Sequence, residues 1–332
     1  MAHPFPIVDL HCDLLEYLAK AAERTAYEEK SRCGYPQLKN GGVLLQITAI
    51  FTETKPGSTR LAEKQIERLL KLPLEHPGHF LDGTQSAEFA QNKGIYLIAS
   101  IENASGVFEE NEPIAQGLQR LSAWLKALKR ILYISLTWNG KNRFGGGVGS
   151  DQGLTDDGKR LLDWMSTHQI AVDLSHASDP LAEEILNHSE QNRLNLKILA
   201  SHSNFRAICP HPRNLPDWLA EEIIRRKGLI GLNLFAPFIH RTDPEALFAH
   251  VEYGLSLGAQ DTLCFGADFF DTEDFSALLA KHKCKTPYFP DYADASCYPL
   301  LLERCAQRLS LGAEALEKIA SANALKFLNR SI

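Results

Sequence analysis

The chain carries eight short apolar runs, most of which end on a polar residue. They cover residues 7–11, 43–51, 96–102, 132–138, 170–176, 197–202, 229–235 and 262–268. Near-continuous apolar runs of this length are typical of strands that are buried on both faces. The pattern therefore predicts a parallel sheet that is covered by helices.

Amphipathic segments lie between these runs, at residues 60–72, 114–128, 156–168, 180–188, 217–226 and 244–257. The ends of successive runs are 26 to 51 residues apart, which leaves room for a loop and a helix before each new strand. Eight such units predict an α/β fold of the (β/α)8 TIM-barrel type. Two further helical segments, 298–309 and 313–328, are expected to pack outside as a C-terminal extension over about residues 294–330. Because no low-complexity linker occurs, we expect a single domain over residues 1–332.

Composition narrows the class of protein. Of the 332 residues, 44% are hydrophobic and 23% are charged, as in ordinary globular proteins. The net charge of -6 is spread without like-charge blocks, so neither nucleic acid nor an anionic membrane is an expected partner. The chain has no long apolar run, no N-terminal basic and apolar leader pattern, and seven cysteines without a CxxC pair. These features predict a cytoplasmic protein with reduced thiols.

In a (β/α)8 barrel, active sites lie at the C-terminal ends of the strands. The polar residues at the ends of the apolar runs are therefore candidates for an active site. These residues are His11 with Asp13, Glu102, His176, His202 and Asp268. Each alone has an ordinary alternative, such as a hydrogen-bonded core histidine or a helix-capping carboxylate. Together they would form a buried charged cluster that is unfavourable without a cation, so the set predicts bound metal.

The ligand types indicate which metal to expect. Imidazole and carboxylate donors without thiolate suit zinc, iron or manganese. A glutamate that can bridge two ions suggests a binuclear centre, which would hold a hydroxide between the ions. We therefore expect two Zn2+ per chain, with other divalent transition metals as the alternative.

Five motifs carry a family resemblance. They are the HxD of His11 and Asp13, SIE ending at Glu102, DLSH ending at His176, SHSNFRAICPHPRN at residues 201–214, and GADFFD around Asp268. In this order they resemble the membrane dipeptidase (renal dipeptidase) family of the amidohydrolase superfamily, from residue 7 to about 328. The resemblance implies a zinc-dependent hydrolase of dipeptides on a distorted (β/α)8 barrel.

The resemblance also implies a role for each residue. His11 and Asp13 match the ligands of the first zinc, His176 and His202 those of the second, Glu102 the bridging carboxylate, Asp268 the catalytic acid/base, and Arg213 the group that binds the substrate carboxylate. The planar guanidinium of arginine suits a carboxylate, although a surface salt bridge is the alternative for Arg213. Asp268 beside two cations is expected to be ionised and able to transfer a proton.

The chain departs from the family pattern at one position. Members of the renal type carry a histidine at the end of the fourth strand, in LTH, where this chain reads LTWN and has Trp138. The family histidine is expected to donate to the substrate carbonyl oxygen as the tetrahedral intermediate forms. Here either the metal alone polarises the carbonyl, or Asn139, Asn142 or the indole N-H of Trp138 takes that place.

Two further features take less specific interpretations. The glycine-rich run 144–153 lacks the ending of a phosphate-binding loop and is expected to form a mobile loop over the barrel mouth. His211 is expected to support Arg213, and the phenylalanines 235, 238, 269 and 270 to form core or pocket wall.

The sequence therefore predicts a cytoplasmic zinc dipeptidase, with Asp268 as the catalytic group and Arg213, Trp138 and Asn139 as substrate-binding residues. Alternative substrates for the same site are an N-acyl amino acid, an L,D-dipeptide or a lactam. A catalytically silent binding protein is the alternative outside enzymes. The resemblance further implies a homodimer, whereas the side-chain preference of the site is left open.

Overall fold

Eight parallel strands close into a ring in the computed structural model, which describes residues 5–84, 89, 94–273 and 286–329. The strands of the described chain are β1 Ile7–Cys12, β2 Val43–Phe51, β3 Phe80–Asp82, β4 Ile95–Glu102, β5 Ile131–Ser135, β6 Lys141–Asn142, β7 Gly145–Gly146, β8 Ala171–Asp173, β9 Ile198–Ala200, β10 Leu229–Leu232 and β11 Leu263–Phe265. The ring order is β1, β2, β4, β5, β8, β9, β10 and β11, with β11 pairing back to β1. The predicted (β/α)8 barrel is confirmed.

Helices follow most of the ring strands, as the hydrophobic pattern predicts. The described α-helices are α1 Leu14–Lys20, α2 Tyr35–Asn40, α3 Ser58–Glu75, α4 Ile114–Leu128, α5 Asp156–Thr167, α6 Asp179–Gln191, α7 Asp217–Arg225, α8 Ala236–Ile239, α9 Ala246–Ser256, α10 Tyr298–Leu309, α11 Ala313–Glu317 and α12 Asn323–Asn329. A π-helical segment, Lys318–Ala322, joins the last two. The sequence prediction missed α1, α2 and α8, which are short helices with fewer than two full heptads of periodicity.

Several strands end earlier than the apolar runs suggest. β8 ends at Asp173 and β9 at Ala200, so His176 and His202 lie beyond the last residue of their strands. The side chain of Asp173 explains why these strands stop. Its carboxylate accepts the backbone N-H of Ser175 at 3.2 Å and that of Ser201 at 2.7 Å. A side chain thus satisfies backbone donors that a longer strand would have paired.

The C-terminal helix closes one end of the barrel. Phe327 of α12 is buried in a cluster that also contains side chains from all eight ring strands. Asn323 Nδ2 donates to the carbonyl oxygen of Leu263 at 2.8 Å, and Arg130 Nη2 donates to that of Leu328 at 2.7 Å. Since Leu263 and Arg130 lie where strands begin, α12 covers the strand starts and leaves the opposite end open.

No described helix has both the length and the apolar character needed to cross a membrane. The cytoplasmic location, the single domain and the dimer stay predictions.

Gly231 of β10 provides a test of how closely the strands approach at the open end. A Cβ at this position would lie 1.9 Å from the Ser201 carbonyl oxygen, so Gly231→Ala is expected to lower the free energy of unfolding by about 1 to 3 kcal/mol. Denaturant unfolding followed by circular dichroism measures the change. Gly312→Ala is the matched control, because no atom lies within 4 Å of that Cβ, and its effect should stay within about 0.5 kcal/mol. Equal stability of the two variants would contradict the close approach.

Candidate metal centre

All six residues predicted at the strand ends meet at the open end of the barrel, and each is buried. Their potential ligand atoms form three overlapping groups, each within 4.8 Å: His11, Asp13 and Glu102; Glu102, His176 and His202; and His11, His202 and Asp268. The barrel thus joins residues that are up to 257 positions apart in sequence, Asp268 minus His11. This arrangement is what convergence of strand ends in this fold predicts.

Glu102 lies at the centre of the cluster. Its Oε2 lies 3.2 Å from His11 Nε2, and its Oε1 lies 2.7 Å from His176 Nε2 and 3.9 Å from His202 Nε2. Asp13 Oδ1 is 3.9 Å from His11 Nε2. The two carboxylate oxygens of Glu102 therefore face different histidines.

Hydrogen bonds behind the cluster set the tautomer of His11 and His176. His11 Nδ1 lies 2.8 Å from Tyr133 Oη, whose proton is donated to the Leu10 carbonyl oxygen at 2.9 Å. Tyr133 therefore accepts from Nδ1-H of His11. His176 Nδ1 lies 3.0 Å from Asn139 Oδ1, which can only accept. Both rings consequently carry a proton on Nδ1 and turn Nε2 towards the cluster.

His202 follows the same pattern. Its Nδ1 lies 2.6 Å from Ser201 Oγ, and that hydroxyl donates to Asp173 Oδ2 at 2.9 Å. The Nε2 atoms of His176 and His202 are only 2.9 Å apart, so two lone pairs face each other. His11 Nε2 and Asp13 Oδ1 are buried atoms with no hydrogen-bond partner. A cation would satisfy all of these atoms, so the donor set fits bound metal.

The electrostatics of the cluster lead to the same conclusion. Burial, together with the Arg213 guanidinium, lowers the pKa of His176 to about 4. Burial and the neighbouring Glu102 carboxylate raise the pKa of Asp13 well above its usual value. Burial likewise raises the pKa of Asp268 to about 6. The protein alone therefore keeps His176 neutral and disfavours ionisation of Asp13 and Asp268, whereas divalent cations would favour both neutral imidazole and ionised carboxylate.

The backbone of Asp268 has a left-handed conformation, and a hydrogen bond fixes one of its carboxylate oxygens. Its φ is 63°, in the left-handed region that aspartate tolerates better than most residues. Asn233 Nδ2 donates to Asp268 Oδ2 at 2.9 Å, which leaves Oδ1 on the side of the cluster, 3.8 Å from His11 Nε2. One carboxylate oxygen is thus fixed while the other faces the ligand atoms.

Arg213 is a buried cation that forms no ion pair with any of the described residues. Its side chain is 4% exposed, and in the described chain no carboxylate lies within 4.0 Å of its guanidinium. Nη2 donates to His176 Nε2 at 3.2 Å, and the guanidinium carbon lies 5.2 Å from the ring centre of Phe238. His211 Nδ1 accepts the backbone N-H of Arg213 at 3.1 Å, in agreement with its predicted supporting role. An anionic group in the adjoining pocket would therefore find an unpaired cation.

A pocket of about 630 Å³, counted with its open mouth, lies over the cluster. Asp13, Glu102, His176 and Asp268 line it together with Arg213. Three lining aromatic rings form one continuous group with Arg213, because the Phe238 ring centre lies 5.0 Å from that of Phe235, which lies 5.4 Å from that of Phe270. Phe269 is buried instead in the core.

Trp138 and Asn139 also line this pocket, whereas Asn142 does not. The side-chain nitrogen of Asn142 donates to the carbonyl oxygen of Leu136 at 2.8 Å and to Asn103 Oδ1 at 3.0 Å. Its side-chain oxygen accepts the backbone N-H of Phe144 at 2.8 Å. Asn142 is therefore a structural residue and does not replace the family histidine.

Sequence reasoning missed Tyr133, Ser201 and Asn233, which orient His11, His202 and Asp268. Tyr133 and Asn233 stand as isolated polar residues inside apolar runs, in LYIS and GLNLF, and this was the available signal. The predicted mobile loop at 144–153 also differs, because Phe144 and glycines 145–147 are buried and hydrogen-bonded.

The chain is similar in sequence to one protein family and to several known proteins. A sequence model of one protein family, described as membrane dipeptidase (peptidase family M19), matches residues 1–331. An uncharacterized protein in the pqqA 5′ region of Klebsiella pneumoniae is 28% identical over 194 residues, which are 54% of this chain and 66% of that protein. Dipeptidase aclJ of Aspergillus oryzae is 22% identical over 258 residues, which are 71% of this chain and 58% of that protein.

A solved structure extends the comparison to the fold. The crystal structure of a metallo peptidase from Rhodobacter sphaeroides, liganded with a phosphinate mimic of the dipeptide L-Ala-D-Ala, is similar with a TM-score of 0.80 and 18% identity, over 99% of each chain. This likeness shows a shared fold. The chain spans 66% and 58% of the length of the two curated relatives.

Metal removal tests the ligand cluster. Zinc added to chelator-treated protein is expected to raise the midpoint of thermal unfolding, because an ion that binds only the folded state stabilises it by about 4 kcal/mol at 1,000 times its Kd. Differential scanning calorimetry measures the shift. Glu102→Ala should lose most of it, whereas Glu183→Ala, on the exposed face of α6, should keep it. A wild-type midpoint that does not respond to zinc would contradict the metal centre.

Proposed function

The chain belongs to the membrane dipeptidase family, peptidase family M19, and on this premise we propose that it is a zinc-dependent dipeptidase. The observation that carries the proposal is Arg213, a buried guanidinium without a carboxylate partner among the described residues, at 3.2 Å from one of the metal-type ligands, His176. A dipeptide offers one free carboxylate close to its single peptide bond. Binding that carboxylate at Arg213 would bring the peptide bond to the cluster.

The covalent structure of a dipeptide fits the short distance between Arg213 and the ligand cluster. Its carboxylate is separated from the carbonyl carbon of the peptide bond only by one Cα and the amide nitrogen. A bidentate arginine holds a carboxylate with defined direction as well as charge. Arg213 therefore selects substrates with a C-terminal carboxylate and orients the bond that is cleaved.

The residues that would hold two zinc ions are those already assembled by the fold. His11 and Asp13 would hold one ion, His176 and His202 would hold the other, and Glu102 would contribute to both. When bound, the ions supply a Lewis acid for the carbonyl oxygen and make a water molecule more acidic.

Asp268 is the proton-transfer group in this proposal. Because Asn233 holds its Oδ2, the free Oδ1 accepts a proton from the attacking water. The same oxygen then returns the proton to the amine nitrogen of the leaving amino acid. Two oxygens of one carboxylate thus have different tasks, one in positioning and one in chemistry.

Trp138 stands in place of the histidine expected from the family. Its ring centre lies 6.3 Å from that of His176 and 5.3 Å from that of Phe51, so it forms a pocket wall beside the cluster. With Asn142 engaged elsewhere, the remaining alternatives for polarising the substrate carbonyl are the Trp138 indole N-H, Asn139 Nδ2 and the metal alone. The continuous aromatic group of Phe235, Phe238 and Phe270 favours an apolar side chain on the residue that carries the carboxylate.

A substrate panel tests the proposal directly. Zinc-loaded protein is expected to cleave L,L- or L,D-dipeptides, to cleave the corresponding dipeptide amides poorly, and to lose activity with chelator. N-acetyl amino acids and lactams in the same panel represent the alternative amidohydrolase substrates. Cleavage of these but of no dipeptide would replace the proposal, and a zinc-loaded protein that hydrolyses none of them would support a binding protein.

Asp268→Asn tests the proton-transfer role. The variant is expected to lower kcat by about 10²- to 10⁴-fold, since the amide cannot accept the proton of water. Zinc content measured by mass spectrometry should stay at the wild-type level. Asp163→Asn removes a carboxylate on the surface of α5, where Asp163 pairs with His188, and should leave kcat unchanged. Wild-type turnover in Asp268→Asn would exclude Asp268 as the acid/base.

Arg213→Met tests carboxylate recognition. Loss of a charge-assisted hydrogen bond of about 1.5 to 3 kcal/mol is expected to lower kcat/KM for dipeptides by about 10- to 100-fold. For the dipeptide amide, which has no carboxylate, the ratio of variant to wild type should be near one. The two ratios are compared in one steady-state series. An equal loss on both substrates would indicate a structural rather than a recognition role.

A further inference from the structure

The glycine-rich segment 145–149 fastens two neighbouring loops of the open barrel end. The backbone N-H of Val148 donates to the His176 carbonyl oxygen at 3.0 Å. The N-H of Gly149 donates to the carbonyl oxygen of Asn139 at 2.8 Å, and that of Gly147 to Gly140 at 3.0 Å. The segment therefore links the turn that carries Asn139 to the loop that carries His176.

Glycine is required where this segment crosses the turn. A Cβ on Gly147 would lie 1.7 Å from the Trp138 carbonyl oxygen and 2.6 Å from the Asn139 carbonyl carbon. Both contacts are with backbone atoms, so a side chain at residue 147 has to displace the turn itself. Gly140, in the same turn, has no atom within 4 Å of the position that a Cβ would occupy and is free of this restriction.

The hydrogen bonds of segment 145–149 keep Asn139 close to His176. Asn139 Oδ1 lies 3.0 Å from His176 Nδ1 and accepts its proton. Without an acceptor at Nδ1, the proton could move to Nε2, where it would block a metal ion. The acceptor thus decides which nitrogen of His176 is available.

We propose that Asn139 is a positioning residue that keeps Nε2 of His176 unprotonated, and that segment 145–149 holds it in place. The inference rests on the metal centre of the proposed function. It assigns to Asn139 a role toward the ligand His176 and leaves its Nδ2 free to face the substrate. Its effect is confined to one ion, because His11 and Asp13 have no contact with Asn139 among the described residues.

The pair Asn139→Leu and Asn139→Asp separates the acceptor from the shape of the side chain. Loss of such an outer partner typically weakens metal binding by about 10- to 100-fold. Asn139→Leu is therefore expected to keep one zinc at wild-type affinity and to weaken the other by that factor. Asn139→Asp retains an acceptor oxygen and should bind both ions almost as wild type does. Competition with a chromophoric chelator, together with zinc content after dialysis, measures both affinities.

A steric pair tests the segment. Gly147→Ala should weaken the same single zinc site, whereas Gly140→Ala should bind both ions as wild type does. Circular dichroism and the unfolding midpoint of the zinc-free proteins show whether each variant folds. If Gly147→Ala does not fold, the Asn139 pair decides the question alone.

The outcomes separate this inference from the proposed function. Wild-type affinity at both sites in Asn139→Leu overturns the positioning role, whatever the activity of the protein. Equal weakening in Asn139→Leu and Asn139→Asp also overturns it, because the acceptor would then not matter. A wild-type protein that binds two zinc ions and cleaves no dipeptide overturns the proposed function but not the inference.

Discussion

The Nε2 atoms of three buried histidines, His11, His176 and His202, converge on one glutamate, and the open end of the barrel is built around this constraint. The Nε2 atoms of His176 and His202 are 2.9 Å apart, and Glu102 reaches both His176 and His11. Such a group of buried acceptors is repulsive unless a cation lies among them. A separate hydrogen bond at Nδ1 keeps each imidazole ring in this arrangement. The partners of the three rings are Tyr133, Asn139 and Ser201.

Two buried carboxylates that do not face the cluster hold its loops. Asp9 accepts the backbone N-H of Ala267 at 2.9 Å and the hydroxyl of Tyr298 at 2.7 Å, so it ties β1 to the end of β11 and to α10. Asp173 accepts from Ser135 and Ser201 and thereby ties β5, β8 and β9. These carboxylates replace ladder hydrogen bonds where the strands stop, which allows the ligand-bearing loops to turn inward without unsatisfied backbone donors.

Substrate recognition and metal binding use adjoining but different groups. Arg213 stays buried without a carboxylate partner among the described residues because Ser203, His176 and the Phe238 ring contact its guanidinium instead. Burial lowers the pKa of this group, so a bound carboxylate would recover interaction energy that the guanidinium otherwise lacks. The aromatic wall beside it and Trp138 near His176 also line the pocket.

The sequence by itself determined the barrel and the six candidate residues at its strand ends, because buried parallel strands leave eight apolar runs and because the fold brings their ends together. His11, Asp13, Glu102, His176, His202 and Asp268 could be named for that reason. Only the tertiary structure decided which atoms face the centre, since a tautomer depends on partners such as Tyr133 and Asn139 that are distant in sequence. The tertiary structure also showed that the glycine-rich segment is hydrogen-bonded to the neighbouring loops. The sequence could not predict this, because hydrogen bonds to another loop leave no local pattern along the chain.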